Sequence, residues 1–253
     1  MATQTKKAKA SALSPIRQYL TQSKSARTAA VAVMPLFIAY QVGILVTGGV
    51  RNGVDFVTDL LNVALGGDML AYLAFNGALV VGFFGLVFAL RQREELHPRV
   101  LPLMLVESAV YALLVGVVVN GLISATGLRG LLAAGAPDET PGLVTKLVLS
   151  MGAGLYEELV FRLFLMGGLF AGLHRLGGIG RIPAAAVALV VSSVIFSAVH
   201  HLGNMGEPFT MGAFVFRFFA GVVFAFIFQT RGFAVAAWTH ALYDVWVMVV
   251  LGK

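Results

Sequence analysis

Three short stretches of this sequence hold residue types able to move protons and to stabilise developing charge. They are Glu157-Glu158 with Arg162 following, then His200, then His240 with Asp244 following. In a helix Glu158 and Arg162 share a face and can form an ion pair. Glu157 is then turned about 100° round the helix and is left without a local partner. A lone carboxyl held out of water suits a general base or a proton carrier. His240 and Asp244 are again one helical turn apart on a common face. An acid, a neighbouring His and a His–Asp pair on three helices, brought together, could activate a water.

The elements that must position these residues are membrane helices. Of 253 residues, 58% are hydrophobic and 12% charged, and the mean hydropathy is +0.88. Soluble domains carry about twice that charged fraction. A bilayer core about 30 Å thick takes roughly 20 helical residues per crossing. Apolar runs of that length predict an all-α, polytopic bundle with about seven spanning helices. They run from about Ala29 to Val46, Met69 to Leu90, Val100 to Ala125, Pro141 to Leu173, Ile182 to Leu202, Met211 to Gln229 and Phe233 to Leu251. Between the first two, Asn52 to Gly66 alternates apolar and polar residues in the manner of an interfacial amphipathic helix. Ionisable groups inside such helices are costly and mark function.

Residues 1–28 form a basic, Lys/Ser/Ala-rich tail that cannot bury a core and is expected to be disordered or surface-lying. The tail lacks the form of a secretory signal, because the apolar run after Arg27 is long enough to span and has no small-residue cleavage pattern. Residues 29–253 read as one membrane domain. Cysteine is absent, which excludes thiolate catalysis, disulfides, Fe–S centres and Cys-ligated zinc. The pI is near 9.8, yet the tail alone holds six of the 18 Lys and Arg residues. Attraction to anionic head groups explains this more simply than nucleic-acid binding. Basic residues in alternate connections predict a cytoplasmic N-terminus, and the expected setting is a bacterial-type plasma (inner) membrane.

Among other polar residues in predicted spans, Asn76, Glu107, Asn120 and Arg217 read as interhelical partners, with Glu107 and Arg217 able to pair. Gly82, Gly85, Gly167, Gly168 and Gly172 read as close-packing positions. One tension stands out. Helical rise puts His200 roughly 27 Å, but His240 only about 13 Å, from the corresponding helix ends.

Glu157-Glu158-x-x-x-Arg162, Phe196-x-x-x-His200 and His240-x-x-x-Asp244 together resemble the three ordered motifs of the CAAX protease and bacteriocin-processing family of intramembrane proteases. The likeness covers roughly residues 141–251 as a protease core. It implies an endopeptidase acting on a membrane-tethered protein or peptide, in CAAX processing or in the maturation of peptides and surface proteins. Glu157 would take a proton from water, His200 would hold that water, and His240 would stabilise the oxyanion. Glu158 and Arg162 would support the site, and Phe196 belongs to the second motif. Many members carry Asn where this chain has Asp244, so Asp244 either orients His240 or is protonated. The resemblance leaves metal use open: Glu157, His200 and His240 could hold a divalent ion such as zinc, and a metal-free glutamate mechanism fits equally. Two other classes compete. One is a catalytically silent scaffold, against which the complete Glu/His/His set argues; the other is a proton-coupled transporter, which lacks support from any internal repeat.

Overall fold

The computed structural model describes residues 14–50, 52, 69–90, 94–131, 141–202 and 206–252. The expected amphipathic helix from Asn52 to Gly66 lies outside these residues apart from Asn52, as do residues 1–13. The architecture is all-α, and no strand occurs among the described residues. The helices are α1 (Pro15–Gln22), α2 (Ala26–Val46), α3 (Met69–Leu90), α4 (Leu101–Ala125), α5 (Leu143–Leu176), α6 (Arg181–Val199), α7 (Met211–Arg231) and α8 (Phe233–Val250). Six of them, α2 and α4 to α8, are long and apolar enough to cross a membrane among the described residues. The remaining expected crossing, α3, contributes Val80–Leu90 as a shorter apolar helix to that reckoning. Large apolar side chains such as Val106, Val117 and Phe164 stay exposed on the outer walls, as a lipid-facing surface requires. The chain is an integral membrane protein.

At the centre lies α8, packed against α2, α4, α5 and α7. Its first turns, Ala234, Val235, Ala236 and Ala237, are almost wholly buried. Small side chains let neighbouring backbones approach, and tight packing is what holds helices together where lipid offers no hydrophobic gain. The tightest approach to another helix's backbone is at Gly154, where a Cβ would lie 2.5 Å from the Ala237 carbonyl oxygen and 2.6 Å from Ala241 Cβ. Two residues earlier, a Cβ on Gly152 would lie 2.4 Å from the Tyr40 ring. The glycines expected to pack closely do not: nothing lies within 4 Å of a Cβ on Gly82, Gly85, Gly168 or Gly172, and Gly167 meets only its own helix at Arg162. Gly82, Gly85 and Gly168 are exposed positions, turned away from the bundle.

The described part of the basic segment begins with a helix on the surface of the bundle. Ser14 caps α1 through the Arg17 N–H, with Pro15 in the first turn, a helix start encoded locally. Tyr19 then donates to Glu107 on α4 at 2.5 Å. Arg231, at the end of α7, donates to both Glu107 oxygens at 2.5 and 2.8 Å and to Ser23 at 3.2 Å. Burial, together with the Glu107 carboxylate, pushes the Tyr19 phenol above the usual tyrosine range. Residues 14–28 thus lie on the surface of the bundle, α1 having no buried residue, and are held there through Tyr19 and Ser23. Glu107 pairs with Arg231 and not with Arg217, whose ion pair is to Glu207 at 2.5 Å. Arg217 and Arg231 lie on one helix about 21 Å apart in rise, so only Arg231 reaches the end of the bundle where α4 begins. Asn120 donates to Gly116 of its own helix at 2.7 Å from an exposed position and bridges no helices there.

The depth discrepancy between the two histidines is a stagger of hairpins. Helix α6 starts at Arg181, one residue from the expected start. The α5–α6 turn projects into the open, with Leu176 at 90% and Ile182 at 83% exposure, whereas Arg231 at the α7–α8 turn is 6% exposed. Unequal distances from these ends therefore bring His200 and His240 to one level.

Candidate active site

Helix α5 changes its winding at the residues that matter. Ala153–Met166 is a π-helix, closed by the Gly167 N–H bonding back to Arg162. Bonding to the fifth residue back places more residues in each turn than in an α-helix, and π-segments recur at functional sites. Successive side chains then diverge less than the 100° of an α-helix, so both Glu157 and Glu158 turn inward, at 5% and 0% exposure.

Glu158 forms the expected ion pair, its Oε1 lying 3.3 Å from Arg162 Nη1. The same oxygen accepts from His240 Nδ1 at 2.8 Å. Arg162 also donates to the Gly221 carbonyl of α7 at 3.4 Å, and its guanidinium lies 4.3 Å from the Phe196 ring centroid. A desolvated cation over an aromatic face gains a cation–π contribution. Phe224 of α7 stacks on His240 with centroids 4.1 Å apart and an interplanar angle of 17°. One imidazole is thus fixed by a carboxylate at its Nδ1 edge and by a ring on its face.

Glu157 is not without a partner. Asn52, beyond the end of α2, donates its side-chain N–H to Glu157 Oε1 at 2.9 Å. Its own backbone N–H is held by the Tyr40 hydroxyl at 2.9 Å. His200 sits at the C-cap of α6, where its Nδ1 contacts the Phe196 carbonyl at 2.7 Å. A carbonyl only accepts, so the proton is on Nδ1 and Nε2 is left to face the site. Glu157 Oε2 lies 3.7 Å from His200 Nε2 and 3.8 Å from His240 Nε2. That oxygen is buried and takes no hydrogen bond from the protein.

All the singled-out residues therefore meet: Glu157, Glu158 and Arg162 from α5, Phe196 and His200 from α6, and His240 and Asp244 from α8. Asp244 Oδ2 is 3.8 Å from His240 Nε2, beyond hydrogen-bonding distance. Glu158 is the partner that orients the His240 ring. His201 points elsewhere, toward the Glu207 carbonyl at 3.2 Å and the ring of Phe209. None of the site residues lines the apolar grooves on the outer walls of α5 and α6.

The donor atoms do not stand at the spacing of zinc ligands. Two ligand atoms on a tetrahedral zinc stand about 3.4 Å apart, closer than the 3.7 and 3.8 Å separations here. Among the described residues no group of three or more His, Asp, Glu or Cys side chains could hold a metal ion.

Asn52 and Phe224 are the contributors that sequence reasoning passed over. Asn52 stands at the head of a stretch whose periodicity points to an interfacial helix, and Phe224 is one of 19 phenylalanines in an apolar chain. Neither carries a local signal of its role.

Residues 139–246 match the family model described as Rce1-like, type II CAAX prenyl endopeptidase Rce1-like. No curated protein and no solved structure matches the chain.

Proposed function

We propose that the chain is an intramembrane protease of the CAAX type, a reading supported by the match of residues 139–246 to the Rce1-like family model, and that it hydrolyses its substrate with a water activated by Glu157. The observation that carries this reading is the position of Glu157 Oε2. It faces the Nε2 atoms of both His200 and His240 at 3.7 and 3.8 Å, while each ring's Nδ1 is engaged elsewhere.

Water held between Glu157 and His200 gives one proton to the Glu157 carboxylate as its oxygen bonds to the scissile carbonyl carbon. The carbonyl oxygen becomes an oxyanion, and a His240 ring protonated on Nε2 donates to it, its charge balanced by Glu158 at Nδ1. The C–N bond then breaks and Glu157 passes the proton to the leaving nitrogen, so the carboxylate is regenerated. Asn52 positions Glu157, Arg162 and Phe196 position Glu158, and Asp244 borders the oxyanion side of His240. The substrate is a membrane-tethered protein or peptide, since a buried, lipid-ringed site favours chains already anchored in the bilayer. Residues 29–253 act as one membrane domain with the protease core at 141–251, set in a bacterial-type plasma membrane with the N-terminus cytoplasmic.

The test is cleavage of a lipid-tethered peptide by the purified protein in detergent, comparing wild type with Glu157→Gln and His240→Ala, each first shown to fold. Loss of a general base lowers turnover by about 10²–10⁴-fold, and His240→Ala should fall within the same range. Cleavage should persist in a strong chelator. Undiminished turnover in both folded variants would refute the site, and loss of activity on chelation would overturn the glutamate mechanism.

A further inference from the structure

Resting on the protease reading, we infer that Arg217 receives the free C-terminal carboxylate of the substrate and so sets how far from the chain end the enzyme cuts. Arg217 is an ionisable residue on a spanning helix that the mechanism above leaves unused. It lies one turn from Gly221, whose carbonyl holds Arg162, and two turns from Phe224, which stacks on His240. Positions related in this way form one stripe along a helix. The stripe on α7 therefore runs from the catalytic histidine toward the end of the bundle where α6 finishes and α7 begins. Across it on α8, Asp244 interacts electrostatically with Arg217.

The spacing suits a short C-terminal remnant. From Phe224 to Arg217 the rise is about 10 Å. An extended chain advances about 3.3 Å per residue, so a carboxylate three residues beyond the cut reaches a guanidinium at that height. A C-a-a-X end, which carries its lipid on the cysteine, leaves that number of residues after the modified side chain. The Arg217 side chain is 20% exposed, and its salt bridge to Glu207 is one Nη2–Oε1 contact to a side chain that is 51% exposed. A guanidinium presents five donors, so others remain for a second anion. Planar, bidentate recognition of a carboxylate is the task that arginine does better than lysine. Glu207 is then a resident anion that holds the fork in place and competes mildly with substrate.

The experiment uses two internally quenched peptides bearing an S-farnesyl cysteine and three apolar residues after it, one ending in a free carboxylate and the other in an amide. The full-length protein in detergent should cleave the acid with a kcat/KM about tenfold or more above the amide, the scale of one charge-assisted hydrogen bond. Arg217→Gln should bring the acid-to-amide ratio close to one, chiefly through KM, and Arg217→Lys should restore part of it. Glu207→Gln should raise the ratio. Equal cleavage of acid and amide by wild type would overturn the role of Arg217 while leaving the protease reading intact. A ratio unchanged in Arg217→Gln would do the same. Cleavage of neither peptide by wild type would overturn the inference together with the protease reading on which it rests.

Discussion

Replacing Arg162 by Met tests whether the charges inside α5 are a linked set. Arg162 is 1% exposed and Glu158 fully buried, so the substitution removes a cation and leaves a buried carboxylate held at Oε1 by His240 Nδ1. Breaking one side of a buried pair costs about 3–5 kcal/mol, whereas replacing both charges by neutral groups of similar volume is near neutral. Arg162→Met should therefore lose about 3–5 kcal/mol. Glu158→Gln should lose a comparable amount, because the guanidinium loses its ion-pair partner and keeps the Gly221 carbonyl and the Phe196 and Phe224 rings beside it. The double variant should return to within about 1–2 kcal/mol of wild type. Unfolding in mixed micelles, followed by helical content, gives the three differences, and cleavage by the folded fraction gives the functional counterpart. The double variant should stay inactive, since His240 loses the carboxylate at Nδ1 that balances its charge. Refutation would come from an Arg162→Met protein within about 1 kcal/mol of wild type, or from a double variant as unstable as the sum of the singles.

Two further perturbations probe the support of the site. Asn52→Ala removes a hydrogen bond to a buried carboxylate, of a kind contributing about 1.5–3 kcal/mol, so kcat should fall roughly 10- to 100-fold while KM changes little; wild-type kinetics would remove Asn52 from the site. Gly154→Ala drives a methyl group into the backbone of α8 at Ala237 and Ala241, and overpacking of this kind costs about 1–3 kcal/mol; an unfolding midpoint equal to that of wild type would show that the α5–α8 contact is looser than described.

Much of the chemistry was legible in the order of residues. Glu158 and Arg162 do pair, because a four-residue spacing remains close enough for an ion pair even where α5 widens. Composition alone demanded membrane helices, since a chain this apolar has no other solvent. The motif carriers Glu157, His200 and His240 could be singled out because ionisable groups in apolar runs are rare. What the order of residues could not reveal depends on distances across the bundle. The π-winding of α5, which turns both glutamates inward, has no sequence signature. Asn52 reaches Glu157 across 105 positions of chain, and Glu107 finds Arg231 across 124, where length rules gave no means of choosing between Arg217 and Arg231. His240 takes Glu158 rather than its helical neighbour Asp244 at Nδ1, a choice made by how α5 and α8 close on Gly154. Residue types and local spacing determined which groups had to leave water. Which of them then met was decided only by helix stagger, winding and close packing, because these set the few ångströms over which hydrogen bonds and ion pairs act.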